Sequence, residues 1–438
     1  MKKNEVKEIM TSIAKNMLLV GAMMAFALTG CGTRAEDVVQ ETQVQEIQVQ
    51  ESEAEIETVQ SSVVEQADAE VPTMGTAYLT DEMYERATSF MEGDLTRLAK
   101  AMRKAENGEK VTIGVIGGSI TEGYTSTAYS GCYAAYFQSW WEERFPEAEI
   151  NFVNAGVAGT SSYLGVHRVQ EDLLDKNPDV VIVEFSVNDG NDFFYKKSYD
   201  NLVRRIMKWE SDPAVMLLFT TQENGYNAQE NDSLIGFRYR LPMLSYGNAI
   251  MPEIEAGSFK WADISPDTVH PNDRGHAIIG EMLYRYLNDV YAGLDEISTE
   301  ITPFTERAIT VERYQEGYIA TPLDITPISY GSYSVKDVSW QYKNNWHTDT
   351  GEEAIVFEVE AQNIGIVYHR VANQNYGMVD VYVDDVLVST LDGEYSYGGN
   401  SESTEVYTSD AVAKHTVRIE KHPDSESGKF TIIGLLIS

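Results

Sequence analysis

Four short segments carry side chains whose types and spacing suit a nucleophile and its base. In Val115-Ile116-Gly117-Gly118-Ser119-Ile120-Thr121-Glu122-Gly123 an apolar run breaks at paired glycines and presents one serine. The glycines let the chain turn sharply and leave the Ser119 amide free to donate a hydrogen bond. Asn154-Ala155-Gly156-Val157-Ala158-Gly159 follows a second apolar run, and Gly156 is expected to bring a bare amide close to a ligand. Phe185-Ser186-Val187-Asn188-Asp189 follows a third and offers the side-chain amide of Asn188. In Ser265-Pro266-Asp267-Thr268-Val269-His270-Pro271 an aspartate stands three residues ahead of a histidine. A serine hydroxyl needs a neighbouring base to lose its proton, and an imidazole needs an acidic partner to fix its tautomer and stabilise its cation. Asp267 and His270 have the types for both tasks. Each segment alone has a plainer reading: a glycine turn, an Asn188-Asp189 helix cap, a loop histidine beside a helix start. His167 and His276 fall on expected helices and read as structural.

These segments lie at the ends of elements that must position them. A helix is expected from Leu95 to Met102, ending at Asn107-Gly108, before a buried strand at Val111–Ile116. Further strands are expected near Ile150–Asn154, Val180–Phe185, Val215–Phe219 and Pro242–Ser245. Amphipathic helices are expected around Tyr133–Arg144, Gly165–Asp175, Lys197–Glu210 and Gln229–Arg240, with a last one over Asn272–Val290. Alternation of strand and helix implies right-handed crossovers and a parallel sheet covered on both faces. In such a sheet ligands bind outside the carboxyl ends of the strands, where these loops fall. Beyond Ile301 the apolar pattern shifts to period two, as in Ile355–Val359, Ile364–Tyr368, Val379–Val383, Val386–Val388, Thr416–Ile419 and Phe430–Ile437. Asp384-Asp385 and several glycines supply turns, so this part reads as an antiparallel sandwich or jelly roll.

Together the four segments, in this order and at strand ends, resemble the blocks of the SGNH (GDSL-like) hydrolase superfamily over roughly Asn107 to Val290. The resemblance implies an α/β fold with a flavodoxin-like three-layer hydrolase domain, followed here by the all-β domain. It implies Ser119 as nucleophile, Asp267 and His270 as its triad partners, and an oxyanion hole made by Ser119, Gly156 and Asn188. Two positions depart from the family pattern: Gly118 stands where block one usually has aspartate, and Ser186 where block three usually begins with glycine.

Charge and cysteines narrow the setting. Acidic residues number 69 against 33 basic ones, a net charge of -36, so a polyanion such as nucleic acid is a poor partner. With two cysteines in different contexts, neither a disulfide framework nor a zinc cluster is expected. Cys132 sits among apolar residues as a buried thiol. Cys31 closes Leu28-Thr29-Gly30-Cys31 after the apolar run Met17–Leu28 and a lysine-bearing start, which resembles a bacterial lipoprotein signal. That reading makes Cys31 the lipidated residue and places the protein on the outer face of the cell membrane, held there by lipid alone. Residues 1–30 are then the signal and 31–75 an acidic tether with too little apolar bulk to fold. Residues 76–300 form the hydrolase domain and 301–438 the accessory β domain, with the boundary between about Leu294 and Ile328.

The expected activity is removal of acyl groups, acetyl above all, from a poly- or oligosaccharide through an acyl-enzyme, with neither metal nor cofactor. A lipase or acyltransferase would use the same triad, and a glycan-binding lipoprotein would keep only the β domain. Trp340, Trp346, Tyr368, Tyr376, Tyr395, Tyr397 and Tyr407 are candidate sugar-stacking residues, although core packing is the commoner role for such side chains. The chemistry is expected to need the first domain alone, with the β domain holding a polymeric substrate. Oligomeric state is not specified by any of these features.

Overall fold

The computed structural model describes residues 78–90, 93–396 and 398–438. Cys31, with the signal and tether expected around it, and Tyr397 lie outside the described residues. After two helices, α1 (Asp81–Ala87) and α2 (Thr96–Glu106), the chain alternates strand and helix. Strand β1 (Val111–Gly117) leads through the single turn α3 (Ser119–Glu122) and α4 (Tyr133–Arg144) to β2 (Ile150–Gly156). Then follow α5 (Ser162–Asp172), β3 (Val180–Glu184), α6 (Phe193–Met207), β4 (Ala214–Phe219), α7 (Gln229–Tyr239) and β5 (Met243–Ser245). Helices α8 (Tyr246–Ala256) and α9 (Asp273–Ala292) complete the layer. The five strands pair in parallel in the order β2-β1-β3-β4-β5. Because side chains alternate along a strand, Val180, Ile182, Met216 and Leu218 pack on one face with α2, α4, α8 and α9. Val181, Val183, Val215 and Leu217 pack on the other face with α5, α6 and α7.

Two helices begin earlier than the periodicity suggests. Helix α5 starts at Ser162 rather than Gly165, and α6 at Phe193 rather than Lys197, because Asp192 accepts from Tyr195 N–H and caps it. Helix α8, with Pro252 inside it, occupies a stretch where no element was expected; Ser245 caps it by accepting from Asn248 N–H.

The second part is antiparallel. Its strands are β6 (Tyr318–Ala320), β7 (Ser334–Lys336), β8 (Asn345–Thr348), β9 (Ile355–Val371), β10 (Met378–Val383), β11 (Val386–Asp392), β12 (Gly399–Lys421) and β13 (Phe430–Ile437). Hydrogen bonds join them in the order β11-β10-β12-β9-β13-β8-β7, with β6 beside β13. The runs 355–359 and 364–368 belong to one strand, β9, and its pairing with β12 shifts register between Glu405 and Tyr407 and between Thr408 and Ala413. Both halves of β9 send side chains into one core: Phe357 and Val359 from the first, Ile366 and Tyr368 from the second. The two layers around that core are therefore continuous through β9 and β12.

The β part also shares a core with the helices below it. Tyr314, Val367, Ile433 and Leu436 are buried in the same apolar cluster as Tyr163, Val166 and Leu202 of α5 and α6. Arg205 reaches from α6 to the carbonyl of Gly317, and Lys197 pairs with Glu405 at 3.0 Å. Of the described aromatic candidates in this part, Trp346, Tyr368 and Tyr376 are core residues, Tyr407 packs against that core and Tyr395 lies under Arg370. Trp340 stands out at 58 % exposed.

Candidate active site

Strand β1 ends in a turn that presents Ser119 where α3 begins. The turn closes through Gly123, whose φ of 98° is the left-handed conformation that favours glycine. Its N–H and that of Tyr124 both donate to the Ser119 carbonyl, at 3.1 and 3.0 Å. As the first residue of the turn, Ser119 has an amide that no bond within the turn uses. Beneath it Thr121 donates to the buried carboxylate of Glu184 at 3.0 Å and meets Tyr133 OH at 2.7 Å, anchoring the turn to β3 and α4.

The loop before α9 brings the histidine to this serine. Ser119 Oγ lies 2.9 Å from His270 Nε2, and His270 Nδ1 lies 2.8 Å from Asp267 Oδ2. The other carboxylate oxygen of Asp267 accepts the N–H groups of Val269 and His270, each at 2.7 Å. Burial raises the Asp267 carboxyl, but these hydrogen bonds from the His270 ring and backbone and from Val269 outweigh it and hold the carboxyl at about 2. Ser265 Oγ lies 2.6 Å from the carbonyl oxygens of both Asp267 and His270, so its one proton can go to either, and it ties the two ends of the acid-to-base turn together. Tyr124 packs edge-on against the His270 ring, with centroids 4.6 Å apart. His167 and His276 play no part in this line. Both are buried, which holds each at about 4, with His167 Nδ1 on the Tyr163 carbonyl and His276 Nδ1 on Tyr133 N–H. Cys132 is buried and unpaired, and burial pushes its thiol up to about 11.

Asn188 sits beside the serine turn: a Cβ on Gly118 would stand 2.3 Å from its Oδ1. That oxygen is buried and has no hydrogen-bond partner among the described residues. Asp189, next in sequence, does cap a helix, though not the one that follows it: its Oδ1 accepts from Ser162 N–H at the start of α5, 2.9 Å away.

Gly156 differs from expectation. Its amide is not bare but donates to Asn154 Oδ1 at 2.8 Å, and a Cβ there would meet Glu122 N at 2.3 Å. Gly156 is thus a close-packing position at the end of β2. Three residues on, Gly159 has a φ of 69°, and among the described residues no acceptor takes its N–H. Asparagine at the strand end consumes one amide and the left-handed turn frees another, a distinction that counting glycines in the sequence does not reveal. Arg168, also missed, ties the two loops together by donating to the carbonyls of Gly117 and Ala155, at 2.9 and 2.7 Å. Among the described residues no group of acidic, histidine or cysteine side chains is placed to hold a metal ion.

Ser119, His270 and Asp267 thus stand in a hydrogen-bonded line at the carboxyl ends of a parallel sheet. The GDSL-like lipase/acylhydrolase family matches residues 115–278. A solved two-domain esterase active on acetylated mannans is 30 % identical and superposes with a TM-score of 0.74, covering 81 % of this chain and 98 % of its own. The chain belongs to the GDSL-like lipase/acylhydrolase family. The same esterase co-crystallised with mannopentaose superposes at a TM-score of 0.72. The thioesterase 1/protease 1/lysophospholipase L1 of Escherichia coli K12 is 24 % identical over 184 residues, 40 % of this chain and 83 % of that protein. As a GDSL-like hydrolase the chain is an esterase, and its β part has a counterpart in the two-domain esterase, whereas the E. coli protein matches less than half of the chain.

Proposed function

We propose that this esterase removes acetyl groups from a polysaccharide, with an acetylated mannan as the substrate class, through an acyl-enzyme on Ser119. The observation that carries the chemistry is the hydrogen-bonded line from Ser119 through His270 to Asp267. His270 Nε2 takes the serine proton as Oγ attacks the ester carbonyl. The oxyanion is held by the amides of Ser119 and Gly159 with the Asn188 side chain. Collapse of the tetrahedral species returns the proton from His270 to the departing sugar oxygen. Water, deprotonated by the same imidazole, then attacks the acyl carbonyl; the second tetrahedral species expels Ser119 Oγ, which takes the proton back from His270, and acetate leaves. Asp267 stays ionised throughout and fixes the ring.

The substrate class is supported by the similarity to the mannan-active esterase along nearly its whole length. It is supported as well by two exposed aromatic rings, Tyr124 beside His270 and Trp340 next to Gln341, whose side chain touches the loop of Gly159. Exposed aromatic faces of this kind suit the apolar face of a sugar ring. Anchoring through Cys31 on the outer membrane face fits a polymeric substrate that does not enter the cell. Acetate release from acetylated mannan, xylan and chitin-derived polymers, set beside a chain-length series of nitrophenyl esters, tests the reading. Fast acetate release from mannan with little turnover of long-chain esters supports it; the reverse profile would make the protein a lipase or thioesterase.

A further inference from the structure

The peptide group joining Ala158 to Gly159 is gripped from several sides, and one grip comes from the β part. Ala158 N–H donates to Glu122 Oε2 at 3.0 Å, which fixes the peptide before it. The Ala158 carbonyl accepts from Gln341 Nε2 at 2.7 Å. A Cβ on Gly159 would lie 2.9 Å from the Cβ of Asn400, at the start of β12. Gln341 is itself held, since its Oε1 accepts from Ser401 Oγ at 2.5 Å. Its loop is braced by Asn345, whose Oδ1 accepts from Val338 and Ser339 N–H at 3.0 and 2.8 Å and whose Nδ2 donates to the Tyr342 carbonyl at 3.1 Å. The Tyr342 ring is packed against the core shared with α5.

A peptide unit is planar and trans, so its C=O and N–H point in opposite directions. A donor locked onto the Ala158 carbonyl therefore sets the direction of the Gly159 N–H, and polarises that N–H as hydrogen bonds in series do. Gly159 has no side chain to resist rotation of this peptide, and its φ of 69° lies in a region glycine enters freely. Without an external hold the amide would sample other directions.

We propose that Gln341 is a positioning residue for the oxyanion hole: the β part aims the Gly159 amide at the reacting carbonyl through one side-chain hydrogen bond. The inference rests on the reading of Gly159 as an oxyanion donor. It makes the β part a component of the reaction centre even for a substrate too small to touch it.

The test uses the full chain with 4-nitrophenyl acetate and a small boronic acid, which becomes a tetrahedral anion on an active serine. Gln341→Leu keeps the bulk and removes the donor, whereas Ser401→Ala leaves the donor and removes its brace. In Gln341→Leu, kcat should fall by about 10-fold to 10²-fold, part of the loss that follows removal of an oxyanion donor, with KM little changed. Boronate affinity should fall by a similar factor. Ser401→Ala should move both quantities in the same direction by less. A merely structural contact would lower the melting temperature or the fraction of titratable serine and leave kcat per active site and boronate affinity untouched. That result overturns the proposal. If Gln341→Leu does not fold, an unchanged kcat in folded Ser401→Ala overturns it equally. Failure of the parent protein to bind boronate or turn over the aryl ester would instead remove the Ser119 reading beneath it.

Discussion

Asn188 Oδ1 lies 2.3 Å from the position that a Cβ on Gly118 would take, so the residue before Ser119 and the proposed oxyanion asparagine exclude one another's bulk. Block one of the family usually carries aspartate here; in this chain the Asn188 amide takes the space that a side chain at Gly118 would need. Restoring the common residue should therefore harm rather than help. Gly118→Asp is expected to displace Asn188 and lower kcat by roughly 10²-fold, the cost typical of losing one oxyanion donor. Aryl acetate kinetics on protein of unchanged melting temperature would check this, and full activity would show that Asn188 is not needed where it stands.

The line of three residues makes graded predictions. Ser119→Ala and His270→Ala should each lower kcat by roughly 10⁴-fold or more, since in the proposed mechanism either removes the unit that forms the acyl-enzyme. Asp267→Asn should cost somewhat less, roughly 10³-fold to 10⁴-fold, because the ring can still be held by a neutral partner. The Asp267 carboxyl, kept at about 2 by its three hydrogen bonds, stays ionised through the working range. Loss of activity on acidification between pH 6 and pH 4 must therefore come from a group other than Asp267. A kcat/KM profile that kept its acid limb in Asp267→Asn would bear this out, and a limb that vanished would assign it to Asp267.

Much of this was legible in the sequence because it is local. An Asp-x-x-His spacing on a loop survives any detail of packing, and strand ends after apolar runs mark where the loops must lie. The parallel sheet follows from runs such as Val180–Glu184, whose five residues are all buried. What escaped depends on partners far away or on which way a backbone group points. Gly156 and Gly159 look alike as letters, and it is the Asn154 hydrogen bond to one and the left-handed backbone of the other that separate them. Strand β8 was missed because three of its four buried residues, Asn345, His347 and Thr348, are polar; His347, for example, bonds Thr431 on β13. The length of β9 was hidden at Gln362-Asn363, where the alternation changes phase and the ladder shifts.

Buried carboxyls behind Asn188 predict how stability responds to pH. Burial pushes Asp189 up to about 7, relieved in part by Ser162 and reinforced by Glu184 and Asp192. Burial also raises Glu184 and, with help from Asp189 and Glu184, Asp232. A carboxyl whose folded pKa lies above its unfolded value holds its proton longer in the folded state. Its contribution is fully present below the unfolded value, near 4, and is lost as pH rises through about 7. The melting temperature should therefore decline from pH 5 to pH 8 by more in the parent than in Asp189→Asn. The difference is expected to be several degrees, corresponding to a few kcal/mol. Parallel melting curves for the two proteins across that range would refute it.

Removing the β part is the severest test of the shared core. On sequence alone a chain ending near Leu294 is expected to keep its chemistry, but that cut takes away Tyr314, Val367, Ile433 and Leu436, all buried against α5 and α6. Buried side chains of that size contribute about 1.5–3 kcal/mol each, and what their loss uncovers is a contiguous apolar face. The shortened chain should be insoluble or lack cooperative melting, whatever substrate is offered. A milder probe keeps the full chain. A Cβ on Gly365 would meet Tyr163 OH at 2.2 Å, so Gly365→Ala must shift either the buried Tyr163 ring of α5 or β9. It should lower the melting temperature by several degrees while leaving a single transition, because both sheets share the cluster that is disturbed. Two separated transitions in that variant, or a soluble and active truncated chain, would mean that the layers are independently stable and that the contact between them is incidental to folding.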